Sequence, residues 1–403
     1  MSTNGQIAPL DASRLTIQRA ETLKPIPPPG TYGYGDIKTD HMLVMSFDPE
    51  TGWSPPEIKP YGPFSIDPAS NCLQYCTSTF EGLKASMNPA GKPVLFRPEA
   101  NMARLSSSAA RMALPPFDEA ALLACIIKLV ALESRWIPTD SGHSLYIRPT
   151  MIGTKPSIRV GASDHALLYV IVCPVGPYFP TPPGAILHAR SVSLLAVSEH
   201  VCSWPGGTGG YKLGLNYSLG FSPQLAAVKL GYDHLLWLLP HGQNEFITEA
   251  GAMNFFAVYE KEDGALTVVT PPLDGTILPG ITRLSALAEV AARTIQETLT
   301  SYPEQLTVSS ECRRQLTIAE LRAEHAAGTL RECFGVGTAV NVVGIDRIGF
   351  TSLNAGESSI KVVDSVKPTT GKGLGVVGRA LWDKLLDVKE GRDNVEGWGV
   401  VCE

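Results

Sequence analysis

The chain is expected to fold as two domains of mixed α/β and α+β character, and three observations lead there. Its 403 residues are more than one hydrophobic core usually serves. Strand-like and helix-like runs are interspersed along the whole length, without the regular strand–helix rhythm of a doubly wound sheet or a barrel. Near the middle, "PYFPTPPGA" (Pro177–Ala185) gathers four prolines and a glycine, whose fixed φ and missing amides forbid helix and suit an interdomain strap. The expected division is an extended lead-in over 1–30, a smaller N-terminal domain over 31–176, a linker over 177–185 and a larger domain over 186–403.

In chain order, "LKPIPPPG" closes the lead-in as an extended segment lying across a surface. Strands follow at "HMLVMSFD", "SLYIRPTMIG" and "HALLYVIVCPV", with helices near 99–113 and 117–134. After the strap come strand-like runs at "GAILHARSVSLLAV", "HLLWLLP", "NFFAVYE" and "ALTVVTPPL", then helices near 281–298, 317–327 and 374–389. No repeat of fixed period is present. The richest apolar run, "AALLACIIKLVAL" (Ala120–Leu132), contains Lys128 and is too short for a bilayer, so it reads as a core helix.

Composition removes several classes of function. Hydrophobic residues at 44% and charged ones at 18% are ordinary for a globular chain and exclude wholesale disorder. A net charge of −6 with no dense basic stripe argues against nucleic acid. Eight cysteines, at 72, 76, 125, 173, 202, 312, 333 and 402, form no CxxC, and several stand in apolar runs. They read as reduced thiols rather than a disulfide framework or a zinc site. His41, His143, His188 and His234 show no ligand spacing, so no metal is expected. The first residues mix Asp11, Arg14, Arg19 and Glu21, unlike a secretory or transit segment, so a cytoplasmic location is expected with a mitochondrial one kept open.

Chemistry concentrates around one lysine. "GGTGGYKLGLNY" (Gly206–Tyr217) sets Lys212 among five glycines, with Tyr211, Leu213 and Leu215 beside it and no flanking carboxylate. An amine in that setting is partly desolvated, which lowers its pKa and makes it a nucleophile toward carbonyls. The carbonyl cofactor that uses a Schiff-base lysine is pyridoxal phosphate. Five residues on, Tyr217 is within reach of that cofactor's phenolic oxygen. In "FITEAGAMNFFAV", Glu249 is the carboxylate available to a pyridine nitrogen. "LPGITRLSALAEVAAR" begins a helix at Pro279-Gly280, whose first amides, those of Ile281 and Thr282, suit an anion. Gly335, Gly337 and Thr338 in "FGVGTAVNVV" make a small-residue turn able to wrap an oxygen. Arg104 in "FRPEANMARL" offers a cation, with Arg97 and Arg111 equal to it on spacing alone. In "SLYIRP", period two puts Tyr146 and Arg148 on one face and Leu145 and Ile147 on the other. "GKGLGVVGRALWDKLLD" contains a formal GxGxxG, but only 25 residues follow Gly378 and "SVKPTT" precedes the loop, so it reads as a loop feeding a terminal amphipathic helix.

These blocks, in this order, resemble the branched-chain amino acid aminotransferases, which are class IV, fold type IV enzymes dependent on pyridoxal 5'-phosphate. The likeness runs from "YGYGDIKTDHMLVM" through "LQYCTSTFEGLKA", "FRPEANMARL", "SLYIRPTMIG", "VCPVGPYFP", "WPGGTGGYKLGLNY", "ITEAGAMNFF" and "PPLDGTILPGITR" to "FGVGTAVNVV". It implies a smaller N-terminal α/β domain and a larger C-terminal pseudo-barrel. It makes Lys212 the Schiff-base lysine and proton shuttle, Glu249 the partner of the pyridine nitrogen and Tyr217 that of the phenolic oxygen. Arg104, the amides of Ile281 and Thr282, and Thr338 would hold the phosphate. Tyr34, Phe80, Tyr178 and Ala252 would line the side-chain pocket. Tyr75, Tyr146, Arg148 and the amide of Ala339 would take substrate carboxylates. A homodimer is implied, with Tyr75, Ile158 and Val160 reaching the partner's site. The implied reaction is transfer of the amino group of leucine, isoleucine or valine to 2-oxoglutarate, giving 2-oxo acids and L-glutamate. The glycines around Lys212 are expected to let the strand bend and the lysine swing.

The chain departs from that family's pattern in places. Val340 and Val343 stand where mammalian members carry a redox CxxC, Ala252 where threonine is common, Gly210 where asparagine or aspartate is common, and Arg159 where a small residue is usual. These open the alternative of a class IV paralogue acting on an unusual amino acid or an (R)-amine. Outside this chemistry, the alternatives are a nucleotide-dependent oxidoreductase, suggested by the GxGxxG, and a non-catalytic binding protein.

Overall fold

Alternation along "SLYIRPTMIG" decides how the first sheet is built. In the computed structural model, which describes residues 7–28, 30–179, 190–291, 308–309, 314–352, 361–368 and 373–403, this run is one strand of a central antiparallel hairpin. Six strands frame the first unit: β1 (His41–Asp48), β2 (Ser78–Phe80), β3 (Leu83–Met87), β4 (Pro93–Phe96), β5 (Ser144–Gly153) and β6 (Ala166–Val175). They run in the order β1–β6–β5–β3–β4, with β2 paired to β5. Ile147 faces Val172 and Met151 faces Leu168 across the hairpin, and Leu43 and Met45 of β1 extend the same apolar face. Tyr146 and Arg148 lie on the opposite face, as period two requires.

Two helices cover the apolar face. α1 (Pro98–Arg111) starts with proline at its first turn, where a missing amide does no harm, after Arg97 turns the chain at φ 47°. It buries Met102, Leu105 and Ala109. α2 (Glu119–Leu132) is capped by Asp118, whose Oδ1 accepts from Ala121 N at 2.8 Å, and it buries Leu122, Ile126 and Leu129. Each such fully buried aliphatic chain stabilises by about 1.5–3 kcal/mol. "AALLACIIKLVAL" is therefore a core helix, and no helix among the described residues is long and apolar enough to cross a membrane. The strand Gly399–Val401 pairs with β4, which places the end of the chain in this unit.

The second unit closes on itself. Its six barrel strands are β7 (Ser191–Val197), β8 (His234–His241), β9 (Asn244–Ala250), β10 (Met253–Glu260), β11 (Leu330–Gly337) and β12 (Asn341–Ser352). Pairing runs β9–β8–β7–β12–β11–β10 and returns from β10 to β9, so the ring has no break. β7 is parallel to both neighbours and the remaining pairs are antiparallel. Val192, Leu194 and Ala196 alternate inward with Phe255, Ala257 and Tyr259, whereas Leu195, Val197, Leu235 and Trp237 pack outward on Ala227 of a flanking helix. "NFFAVYE" is buried on both sides for that reason. The family resemblance implies such a pseudo-barrel; the strand-like runs alone do not.

Contacts divide the chain into one unit that runs up to Tyr178 and takes in Tyr211–Leu215 and Asp387–Glu403, and another of Phe179–Gly210 and Asn216–Leu386. Of the proline-rich strap, 180–185 lies outside the described residues, as do 184–189 of "GAILHARSVSLLAV" and 292–298 of the helix expected over 281–298. That helix, α3, is described over Ile281–Ala291. The last helix, α4 (Val376–Lys389), matches its expected span closely.

The glycines around Lys212 have a more specific use than swing. A Cβ on Gly209 would lie 2.4 Å from the backbone oxygen of Thr276 and 2.3 Å from Ser203 Oγ, and the Gly210 amide donates to Gly275 O at 2.9 Å. Two backbone segments touch here with no room for a side chain. At Gly214 the obstruction is only Ser78 Oγ, at 2.3 Å, which can rotate away. Gly209→Ala is therefore expected to lower the melting temperature by about 5 °C, while Gly214→Ala shifts it by about 1 °C or less. Thermal melts of the two variants check this.

Candidate active site

Lys212 has its backbone clamped although glycines stand two residues away on either side. Its amide donates to Ser108 Oγ at 3.0 Å, and its carbonyl accepts from Thr79 Oγ1 at 2.9 Å and Phe80 N at 3.2 Å. β2 and α1 thus fix the Cα and leave the position of Nζ to the side-chain torsions. The ammonium lies 4.8 Å from the Phe80 ring centroid. Desolvation, with the Arg104 charge next, brings its pKa down to about 8, while the Glu81 charge works the other way. The residue keeps some accessible surface.

Arg104 is separated from its rivals by geometry. Arg97 stacks over Trp398 at 4.7 Å and Arg111 over Tyr211 at 5.8 Å. Arg104 Nε donates to Glu81 Oε1 at 2.6 Å and Arg104 Nη2 to Glu81 Oε2 at 2.9 Å, and its charge is felt at Lys212. Glu81 is fully buried. The stretch "TSTFEGLKA" does not by itself give Glu81 a role. One sequence signal does point to it: Asn101, Arg104 and Ser108 recur at helical spacing along α1, a polar stripe on a helix whose other stripe is apolar.

On β5, Arg148 Nη2 donates to Tyr146 Oη at 2.8 Å, and its guanidinium lies 4.6 Å from the Phe80 ring. Tyr34 packs against Tyr146 and Tyr178 at 5.4 and 5.0 Å between ring centroids. Its hydroxyl is buried without a hydrogen-bond partner among the described residues, and burial raises its pKa. Tyr34, Phe80, Tyr146, Arg148 and Tyr178 thus form one aromatic and cationic group in the first unit. Tyr75 is more exposed and its hydroxyl donates to Ile158 O; Ile158 and Val160 are 73% and 81% exposed.

The second unit holds the remaining residues. Glu249 lies in β9, not on an open turn: its Oε1 accepts from Leu278 N at 3.1 Å and from Asn254 Nδ2 at 3.4 Å. Burial first, then the Glu249 charge, pushes the Cys202 thiol up to about 12. Ile281 and Thr282 open α3 and are buried. Before them, a Cβ on Gly280 would fall 2.0 Å from Asn254 Oδ1, so glycine is required. Thr338 and Ala339 form the turn joining β11 to β12, and Val340 and Val343 follow. Tyr217 is half-buried in the short helical turn Gly214–Ser218, and Ala252 is exposed at the turn after β9.

The GxGxxG segment carries a different partner from a nucleotide. Glu332 of β11 accepts from the amides of Val377 and Gly378 at 2.9 and 3.0 Å at the start of α4. A Cβ on Gly375 would sit 2.2 Å from the Glu332 carboxyl carbon. The chain's own carboxylate already takes the helix N-terminus that a phosphate would need. No cluster of metal-ligating side chains occurs among the described residues.

Comparison with known proteins agrees with this chemistry. The family profile of the amino-transferase class IV proteins matches residues 78–348. The mitochondrial branched-chain-amino-acid aminotransferase of Schizosaccharomyces pombe is 38% identical over 97% of this chain and 86% of its own. The cytosolic enzyme of that name from Mus musculus is 40% identical over 94% and 91%. Among solved structures, the branched-chain aminotransferase of Thermoproteus uzoniensis, with norvaline, superposes with a TM-score of 0.65 at 21% identity, over 90% of this chain and 100% of that one. The branched-chain amino acid aminotransferase of Thermobaculum terrenum, in its PLP-bound holo form, gives 0.62 at 21% identity, over 91% and 99%. These two show the fold alone; the profile and the curated relatives show the family. The chain belongs to the class IV aminotransferases, in the branched-chain-amino-acid aminotransferase family.

Proposed function

We propose that this protein transfers the amino group of leucine, isoleucine or valine to 2-oxoglutarate, giving 2-oxo acids and L-glutamate, with pyridoxal 5'-phosphate as cofactor. The observation that carries the proposal is the Lys212 amine, held by desolvation near a pKa of about 8 beside paired Arg104 and Glu81. The names of the curated relatives support the substrate class.

The residues fit that cofactor. A phosphorylated aldehyde needs an amine that loses its proton more readily than an ordinary lysine, a carboxylate for its ring nitrogen and donors for its phosphate. Lys212, Glu249 and Arg104 are of these kinds, and Gly280 keeps the start of α3 clear of side chain. When bound, pyridoxal phosphate supplies the aldehyde that takes up the amino group and the protonated ring that accepts charge from the substrate α-carbon.

The chain's residues are assigned the rest. Lys212 Nζ removes the α-proton as a base and returns a proton as an acid. Glu249, anchored through Oε1, would pair with the ring nitrogen and keep it protonated. Tyr217 would face the phenolic oxygen. Arg104, the amides of Ile281 and Thr282, and Thr338 would hold the phosphate. Arg148 and Tyr146, already hydrogen-bonded, take a substrate carboxylate with Tyr75 and the Ala339 amide. Tyr34, Phe80 and Tyr178, with Ala252, line the pocket for an aliphatic side chain and exclude water around the reacting carbon. The working form is a homodimer in which exposed Tyr75, Ile158 and Val160 serve the partner's site. A cytoplasmic location is part of the proposal; the curated relatives include cytosolic and mitochondrial forms.

Activity with leucine, isoleucine and valine plus 2-oxoglutarate is expected to exceed that with D-alanine or (R)-phenylethylamine by more than about a hundredfold, and Lys212→Ala should abolish it. Preference for D-alanine or the (R)-amine would support the paralogue reading instead. The lowered pKa also has a consequence for stability. The folded state disfavours the charged lysine, a penalty present below the folded pKa and gone above the unfolded one. Lys212→Met should therefore raise the melting temperature of the cofactor-free chain at pH 7, with the gain shrinking from about pH 8 and vanishing above about 10.5. Melts across that range test it.

A further inference from the structure

Glu81 carries no role in the proposed chemistry, yet it is fully buried and both its carboxylate oxygens are hydrogen-bonded. Oε1 accepts from Arg104 Nε at 2.6 Å; Oε2 accepts from Arg104 Nη2 at 2.9 Å, Asn101 Nδ2 at 2.7 Å and its own neighbour Gly82 N at 3.0 Å. Its amide donates to Pro149 O at 2.8 Å, which ties it to β5 one residue from Arg148. Asn101 in turn donates to Gly82 O at 3.2 Å. The carboxylate is thus held from α1 and from the strand connection between β2 and β3. A Cβ on Gly82 would lie 2.2 Å from Tyr146 Oη, so the glycine after Glu81 lets that hydroxyl reach its place beside Arg148.

We infer that Glu81 is a positioning residue that acts through two others: it orients the Arg104 guanidinium toward a phosphate and balances the positive charge around Lys212. The inference rests on the proposed function for the identity of the phosphate. Two parallel N–H···O bonds fix the plane of a guanidinium as one bond cannot. Burial alone would push a carboxyl group up. The Arg104 charge and hydrogen bonds, with Lys212 and Asn101, outweigh it and keep Glu81 ionised. The Arg104 and Arg148 charges lower the Lys212 pKa and the Glu81 carboxylate raises it, so the Glu81 charge limits the fall.

The test uses the full chain stripped of cofactor, with two readings. Binding of pyridoxal phosphate is compared with binding of pyridoxal, which lacks the phosphate. Acetic anhydride labelling across pH is read at the Lys212 peptide. In Glu81→Gln, phosphate-dependent affinity should fall by about tenfold or more while pyridoxal binding changes little. The Lys212 labelling midpoint should drop by about half a unit to one unit, because a negative charge has gone. Glu81→Asp keeps the charge and loses the two-point geometry, so it should lose the phosphate preference and leave the midpoint in place. If both variants fail to fold, Asn101→Ala, which loosens Glu81 without discharging it, should behave like Glu81→Asp. Equal losses for both ligands with an unmoved midpoint in Glu81→Gln would make Glu81 merely structural and overturn the inference. Failure of the wild-type chain to bind pyridoxal phosphate through Lys212 would overturn the proposed function, and the inference with it.

Discussion

An amine that is to lose its proton more readily than an ordinary lysine cannot sit in water, and its charge cannot be left unbalanced in a protein either. Lys212 meets both conditions through its surroundings. Desolvation and Arg104 press its pKa down, and Glu81 limits the fall. Much of the first unit serves that balance. α1 brings Asn101, Arg104 and Ser108 along one stripe, β2 brings Thr79 and Phe80, and β5 brings Tyr146 and Arg148. The sheet and α1 are held by their other faces in the core of Leu43, Met45, Leu105, Leu129 and Ile147. The position of the amine therefore depends on a core it does not touch.

The second unit achieves comparable order by closure. A barrel has no edge strands, so the turns at its rim can carry small residues without exposing backbone to pairing. Thr338 and Ala339 occupy such a turn, and Gly280 leads into α3 where Asn254 leaves space for nothing larger. Asn254 links these features, since it donates to both Glu249 Oε1 and Leu278 O.

Elements with strong local periodicity are legible in the sequence. β5, α2 and the helix Ile318–Ala327 lie where alternation, or an apolar run with a cap, puts them. Short strands such as β2 and β3 are not, because three to five residues carry no period and their pairing to β5 is long-range. The barrel is not visible in separate strands either, since parallel β7 joins β8 and β12 across distant sequence. For the site, an isolated lysine in a glycine run and a tyrosine–arginine strand face are visible. What sets Arg104 apart from Arg97 and Arg111 is visible only in the structure, because it is the pairing with Glu81, 23 residues away. A glycine run suggests freedom for the lysine, whereas the structure uses Gly209 for close backbone approach.

Among the described residues, three lysines have pKa values depressed by desolvation: Lys212 and Lys84, both at about 8, and Lys389, at about 7. A low pKa by itself does not tell these lysines apart; the clamp of Ser108, Thr79 and Phe80 and the pairing of Arg104 with Glu81 distinguish Lys212, to which the proposed function assigns the aldehyde. The direct measurement is borohydride reduction of the holoenzyme followed by peptide mapping. The account predicts one stable pyridoxyl adduct, on Lys212. An adduct on Lys84 or Lys389, with Lys212 unmodified, would contradict it.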